Sequence, residues 1–129
     1  VGDTLIDAAR AAQANAYAPY SRYRVGAALE AEDGRVFVGA NIESASFGVT
    51  NCAERVALGA AVAAGARAFA RLVLVTDSEP PVAPCGACRQ ALAEFGLDLT
   101  VESVGRETSK RWTVGGLLPD AFRGGDLTR

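Results

Sequence analysis

The chain has 129 residues, half of them hydrophobic and 22% charged, with a net charge of −2 and no histidine. That length suits one domain over 1–129 that buries roughly two-thirds of its unfolded surface, and the acidic balance offers no basic field for a phosphate backbone, so no nucleic-acid partner is expected. The missing histidine removes the Ser-His-Asp triad, the H-E-x-x-H zincins and every histidine-ligated metal site in one step.

Residues Asp3 to Tyr17 place Leu5, Ala8, Ala9, Ala12 and Ala16 at helical spacing, with Pro19 as the stop. Tyr23 to Ala31 and Arg35 to Ala40 read as two strands joined at Asp33-Gly34, a hairpin signal because glycine tolerates positive φ. The stretch "NIESASFGVT" has no sustained period and is expected to be an ordered loop. Asn51 is expected to cap a helix from Cys52 to Ala64, with Gly65 as its stop. That helix has little polar face, which predicts burial at the centre of the domain or against another subunit. Arg71 to Thr76 reads as a buried strand, Cys85 to Phe95 as a helix and Leu97 to Val101 as a further strand, followed by a short extended piece at Trp112. The order predicts a single α/β domain in which helices cover a mixed sheet of about five strands.

The longest apolar run, Val56 to Ala66, falls between two arginines and short of the ~20 residues that a bilayer span needs, so no membrane span is expected. The N-terminal stretch carries acids where a secretory leader carries bases. Three cysteines are also an odd number for a disulfide framework. A cytoplasmic protein is expected.

The chemistry is concentrated in "NCAER" and "PCGACRQ". Each group of cysteines heads a helix that follows a loop, where unpaired N–H groups and the helix dipole favour thiolates. Cys85 and Cys88, at i and i+3, share a helix face, and Cys52 can join them. C-x-x-C alone leaves a redox pair, a structural zinc clip and an open metal site all standing. With only three Cys or His ligands in the chain, a zinc site is open unless an acid closes it, and an open zinc lowers the pKa of water to near ~7. Such a site needs a proton carrier. Glu54, two residues after Cys52, is the candidate, against the plainer reading of a first-turn acid that only complements the helix dipole.

The pattern C-A-E at Cys52 to Glu54 followed by P-C-x-x-C at Pro84 to Cys88 is the all-thiolate form of a zinc-deaminase signature. "AYAPYSRYRVGAAL", "NIESASFGVTNCAER", "PCGACRQ" and "LLPDAF" resemble, in order, the blocks of the small homotetrameric cytidine deaminases, so the likeness touches nearly the whole chain. The resemblance implies one zinc ion per chain on Cys52, Cys85 and Cys88, Glu54 as general acid/base, and a free nucleoside substrate, cytidine or deoxycytidine, in pyrimidine salvage. It assigns Asn41 and Glu43 to the ribose hydroxyl, the Ala53 N–H to the pyrimidine keto oxygen, and Tyr23 to the pyrimidine. Phe122 becomes the aromatic that reaches a neighbouring subunit's substrate. Arg55, and more weakly Gln90, would offset the charge that three thiolates leave on zinc. Tyr23 stands where many relatives have phenylalanine, and its extra hydroxyl needs a partner or water. Phe47 stands where many have tyrosine.

Overall fold

The computed structural model describes residues 3–128. Asp3 opens α1 (Thr4–Gln13) by accepting a hydrogen bond from the Leu5 N–H at 3.0 Å. The helix ends well before Pro19, because the Tyr17 N–H is taken by the Asn41 carbonyl at 2.9 Å and the chain there runs beside Ile42. The loop thus leaves α1 early to form one wall of a cleft.

The hairpin is β1 (Gly26–Ala31) and β2 (Val36–Ala40), turning through Gly34 at φ +93°. A short 3-10 turn, Phe47–Val49, interrupts the loop that follows. Helix α2 (Ala53–Ala63) begins one residue later than expected: Cys52, not Asn51, occupies the cap position and makes no capping hydrogen bond. Gly65, at φ +95°, stops it as expected. β3 (Phe69–Val75) leads through a loop to α3 (Gly86–Ala93), headed by Cys85, which likewise does not cap.

β4 (Thr100–Val104) lies C-terminal to the strand expected at Leu97 to Val101. The carbonyls of Leu97 and Leu99 accept from Gly115 and Val114, both at 2.9 Å, so this backbone is committed to the start of α4 (Val114–Leu117) before the sheet begins. The piece around Trp112 is a full edge strand, β5 (Ser109–Thr113), and α5 (Gly125–Thr128) closes the described chain.

The five strands form one mixed sheet in the order β2-β1-β3-β4-β5, parallel only between β3 and β4. α1 lies on one face through Leu5 and Ala9 against Ala28, Val73 and Val75. α2 and α3 cover the other face, where Ala53, Ala57 and Leu92 meet Ala27, Leu29, Leu72 and Val101. The result is a three-layer α/β/α arrangement, with the expected mixed sheet of five strands between its helices. α2 lies almost on the sheet: a Cβ at Gly39 would fall 2.4 Å from the Ala53 carbonyl oxygen and 2.5 Å from the Ala57 N. That contact sets the height of the first turn of α2, which carries Cys52 and Glu54.

Candidate active site

The parallel pairing of β3 and β4 across α3 places the starts of α2 and α3 side by side at one edge of the sheet. The Cys52 and Cys85 sulfurs are 3.9 Å apart, those of Cys85 and Cys88 are 3.5 Å apart, and all three lie within 4.8 Å of one another. These spacings bracket the ~3.8 Å edge of a tetrahedron whose centre is ~2.3 Å from each sulfur, the usual zinc–thiolate length. The donor set therefore fits a zinc ion with three thiolate ligands.

The cluster is electrostatically unbalanced by itself. The Cys52 thiol is drawn down to about 5, chiefly by a hydrogen bond from Cys88 and further by Arg55 and Cys85, against the opposing effect of burial. Cys88, fully buried, is pushed up because it is the partner that keeps its proton beside Cys52. Arg55 Nη2 donates to Cys52 Sγ at 3.7 Å, while its Nε is buried with no hydrogen-bond partner among the described residues. The guanidinium is thus the positive charge that faces the thiolates.

Glu54 is 6% exposed, and burial raises its carboxyl above the usual 4.5, with the Cys52 charge adding to the shift. It lines a cleft of about 230 Å³ together with Cys52, Ala53, Cys85, Asn41 and Tyr23. That volume lies just below the ~300–1,000 Å³ typical of drug-sized ligands. The structure therefore brings these six expected residues to one cavity.

Asn41, Glu43 and Gln90 are also committed to structural contacts, and Phe122 lies outside this cleft. Asn41 faces the cleft, yet its amide also holds the preceding wall, accepting from Val25 N–H at 2.9 Å and donating to the Tyr23 carbonyl at 2.8 Å. Glu43 lies in an adjoining hollow with Tyr20, Phe47 and Thr50, where its carboxylate accepts from the N–H groups of Tyr20 (2.9 Å) and Ser21 (3.1 Å) and from the Ser21 hydroxyl. Gln90 donates to the Phe122 carbonyl at 2.8 Å, and Phe122 itself is exposed outside α3, away from the cleft of its own chain. Sequence reasoning missed Ser78, whose Oγ is 2.6 Å from the Tyr23 hydroxyl. Nothing in "DSEPPVAP" marks it, because only the fold shows which wall that loop faces.

Three cysteine sulfurs set for zinc beside a buried carboxylate, at the ends of two helices on a mixed sheet, define a zinc-dependent deaminase site. The family model for the cytidine and deoxycytidylate deaminase zinc-binding region matches residues 2–103. The chain is 45% identical to a cytidine deaminase of Sporosarcina psychrophila, over 98% of this chain and 94% of the relative. It is 48% identical to one of Halalkalibacterium halodurans, over 95% of each chain. The crystal structure of cytidine deaminase from Burkholderia pseudomallei superposes with a TM-score of 0.89 at 50% identity, over 92% of this chain and 97% of that one. The protein belongs to the cytidine and deoxycytidylate deaminase family.

Proposed function

We propose that residues 1–129 act as one catalytic unit that hydrolyses the C4 amino group of cytidine and deoxycytidine, releasing ammonia and leaving uridine or deoxyuridine. The carrying observation is the three-sulfur cluster sharing a cleft with Glu54. Zinc held by Cys52, Cys85 and Cys88 supplies the Lewis acidity that makes water a nucleophile at neutral pH. Glu54 then moves the protons. Its carboxylate takes one proton from the water that adds to C4 and delivers it to ring N3; it then takes the second proton from the hydroxyl now on C4 and gives it to the amine as the C4–N bond breaks, so that water and cytidine balance uridine and ammonia.

The Ala53 N–H, at the start of α2, donates to the C2 keto oxygen, as a helix N-terminus is suited to do. The Tyr23 ring borders the base. Asn41 and Glu43 hold the ribose hydroxyl with the hydrogen-bonding capacity left over from their structural contacts, since an amide and a carboxylate each offer about four sites. Arg55 offsets thiolate charge. Gln90, expected as weaker support of the same kind, instead commits its amide to the Phe122 carbonyl and ties that segment to α3.

Among the described residues, those that line the cleft include no lysine or arginine. This supports a free nucleoside over a nucleotide, whose phosphate would need a cationic partner. The assembly we propose is a homotetramer in which Phe122 enters a neighbour's cleft. Exposed Tyr17, Tyr20, Ile42, Phe47 and Val49 give this chain an apolar surface beside the site that suits burial by another copy. No helix among the described residues is long and apolar enough to cross a membrane, and three free thiols suit the reducing cytoplasm, where we place the protein.

The test is a panel of cytidine, deoxycytidine and cytidine 5′-monophosphate, followed by loss of cytosine absorbance and by ammonia release from the zinc-loaded protein. Both nucleosides are turned over and the monophosphate is poor. Ammonia from none of them contradicts the reading, and preference for the monophosphate contradicts its nucleoside part.

A further inference from the structure

The Tyr23 hydroxyl, on a residue that lines the cleft, is 2.6 Å from the Ser78 Oγ, which lies in the loop between the lining residues Thr76 and Val82. One wall is the loop before β1, whose Tyr23 and Val25 line the cavity; the other follows β3 and continues into Val82, Ala83 and Cys85. Each post is fixed from behind. Tyr23 N–H donates to the Ser21 Oγ at 2.9 Å and its carbonyl accepts from Asn41, so its backbone is pinned on both sides. Ser78 N–H donates to Thr76 Oγ1 at 3.2 Å, and a Cβ at Gly105 would lie 2.4 Å from the Ser78 carbonyl oxygen, so the loop rests directly on the end of β4. Glu79 anchors the same loop by accepting from Glu107 N–H at 2.8 Å and Thr108 N–H at 3.2 Å.

With both posts fixed, the hydroxyl pair holds the Tyr23 side chain against the loop that continues into Val82 and Ala83. We propose that the Tyr23–Ser78 hydroxyl pair is a brace that limits the bulk admitted beside the C5–C6 edge of the pyrimidine, and so acts as a specificity-determining pair. The inference rests on the functional reading above. There, C4, N3 and the C2 oxygen all face Cys52, Ala53 and Glu54 in the first turn of α2, which leaves the C5–C6 edge for the opposite lining. A phenylalanine at position 23 would keep the ring and lose the brace. The pair selects by geometry, because neither hydroxyl has a reacting atom to serve.

The probe is 5-methylcytidine against cytidine, with kcat and KM measured separately on zinc-loaded protein. Tyr23→Phe and Ser78→Ala each remove one oxygen. Each should raise the 5-methylcytidine to cytidine ratio of kcat/KM by about 3- to 10-fold, mainly through KM, less than the ~10- to 200-fold that a methylene commands in a closed pocket. The double variant should gain no more than either single one, since each alone breaks the brace. Ser78→Thr, which keeps the hydroxyl, should retain the parent ratio. Melting temperatures within a few degrees of the parent exclude general loosening. A parent that deaminates cytidine, with a ratio unmoved in every variant or with multiplicative single effects, overturns the brace alone. A parent that leaves cytidine untouched overturns the functional reading and the brace with it.

Discussion

Arg55 occupies the third position of α2, where an arginine is ordinarily a solvated charge, yet it points at the Cys52 sulfur with its Nε buried. Three thiolates around a divalent ion leave one net negative charge, and a guanidinium that donates to sulfur offsets it. Arg55→Gln should therefore release zinc faster to a chelator and lower turnover, while far-UV circular dichroism stays unchanged. Metal release at the parent rate, with parent kinetics, would return Arg55 to a purely surface role. Glu79, in the loop that follows β3, sets a pH dependence of its own. Glu79 is held below 4.5, first by the Thr108 hydroxyl and then by the Glu107 N–H. Its folded pKa lies below its unfolded value, so its contribution is complete above about 4.5 and fades as the pH falls through the folded value. Glu79→Gln should narrow the difference between urea midpoints at pH 6 and pH 3. An unchanged difference would mean that the loop does not depend on this charge.

At the scale of elements, the site depends on how closely α2 approaches the hairpin. Gly39→Ala would place a methyl against the backbone of Ala53 and Ala57. The backbone at that contact cannot turn aside as a side chain can, so a loss at or above the ~1–3 kcal/mol of ordinary overpacking is expected. Thermal unfolding and bound zinc should fall together, because the displaced turn carries Cys52; a variant with parent melting temperature and metal content would contradict the packing argument. The cysteine spacings and the C-A-E turn were legible in the sequence because their chemistry requires residue types at fixed helical offsets. Gly34 and Gly65 were legible too, as backbone positions with φ of +93° and +95°. The start of β4 was not legible. Leu97 and Leu99 read as strand because they are apolar, yet their carbonyls bond to α4, a long-range choice that local pattern does not encode. The early end of α1 has the same origin in the pairing of Tyr17 with Asn41. The Tyr23–Ser78 contact spans 55 residues, and only the assembled sheet brings its ends together.

For the whole molecule, the zinc site and the assembly are the two properties that reach beyond any one element. Zinc that binds only the folded state adds stability that grows with the logarithm of its free concentration over its Kd. Removing it with a strong chelator should lower the melting temperature and abolish turnover, and adding zinc back should restore both. Truncation from Ala121 onward should raise KM more than it lowers the melting temperature, because Phe122 is exposed in its own chain and is proposed to act in a neighbour's; sedimentation should show a tetramer for the intact protein. A fully active monomer would contradict that assembly. The central claim is that Glu54, buried in the cleft beside the three sulfurs, carries the protons of a hydrolytic zinc site. Glu54→Gln keeps the shape of the side chain and its hydrogen bonding, but an amide does not accept and return a proton at neutral pH. The direct measurement is the rate of ammonia release from cytidine by Glu54→Gln and parent proteins of equal measured zinc content. The account predicts an unchanged metal and oligomer with a rate at least ~10²- to 10⁴-fold lower, the range of a lost general acid/base. A fully zinc-loaded Glu54→Gln protein that releases ammonia within a few-fold of the parent rate would contradict it.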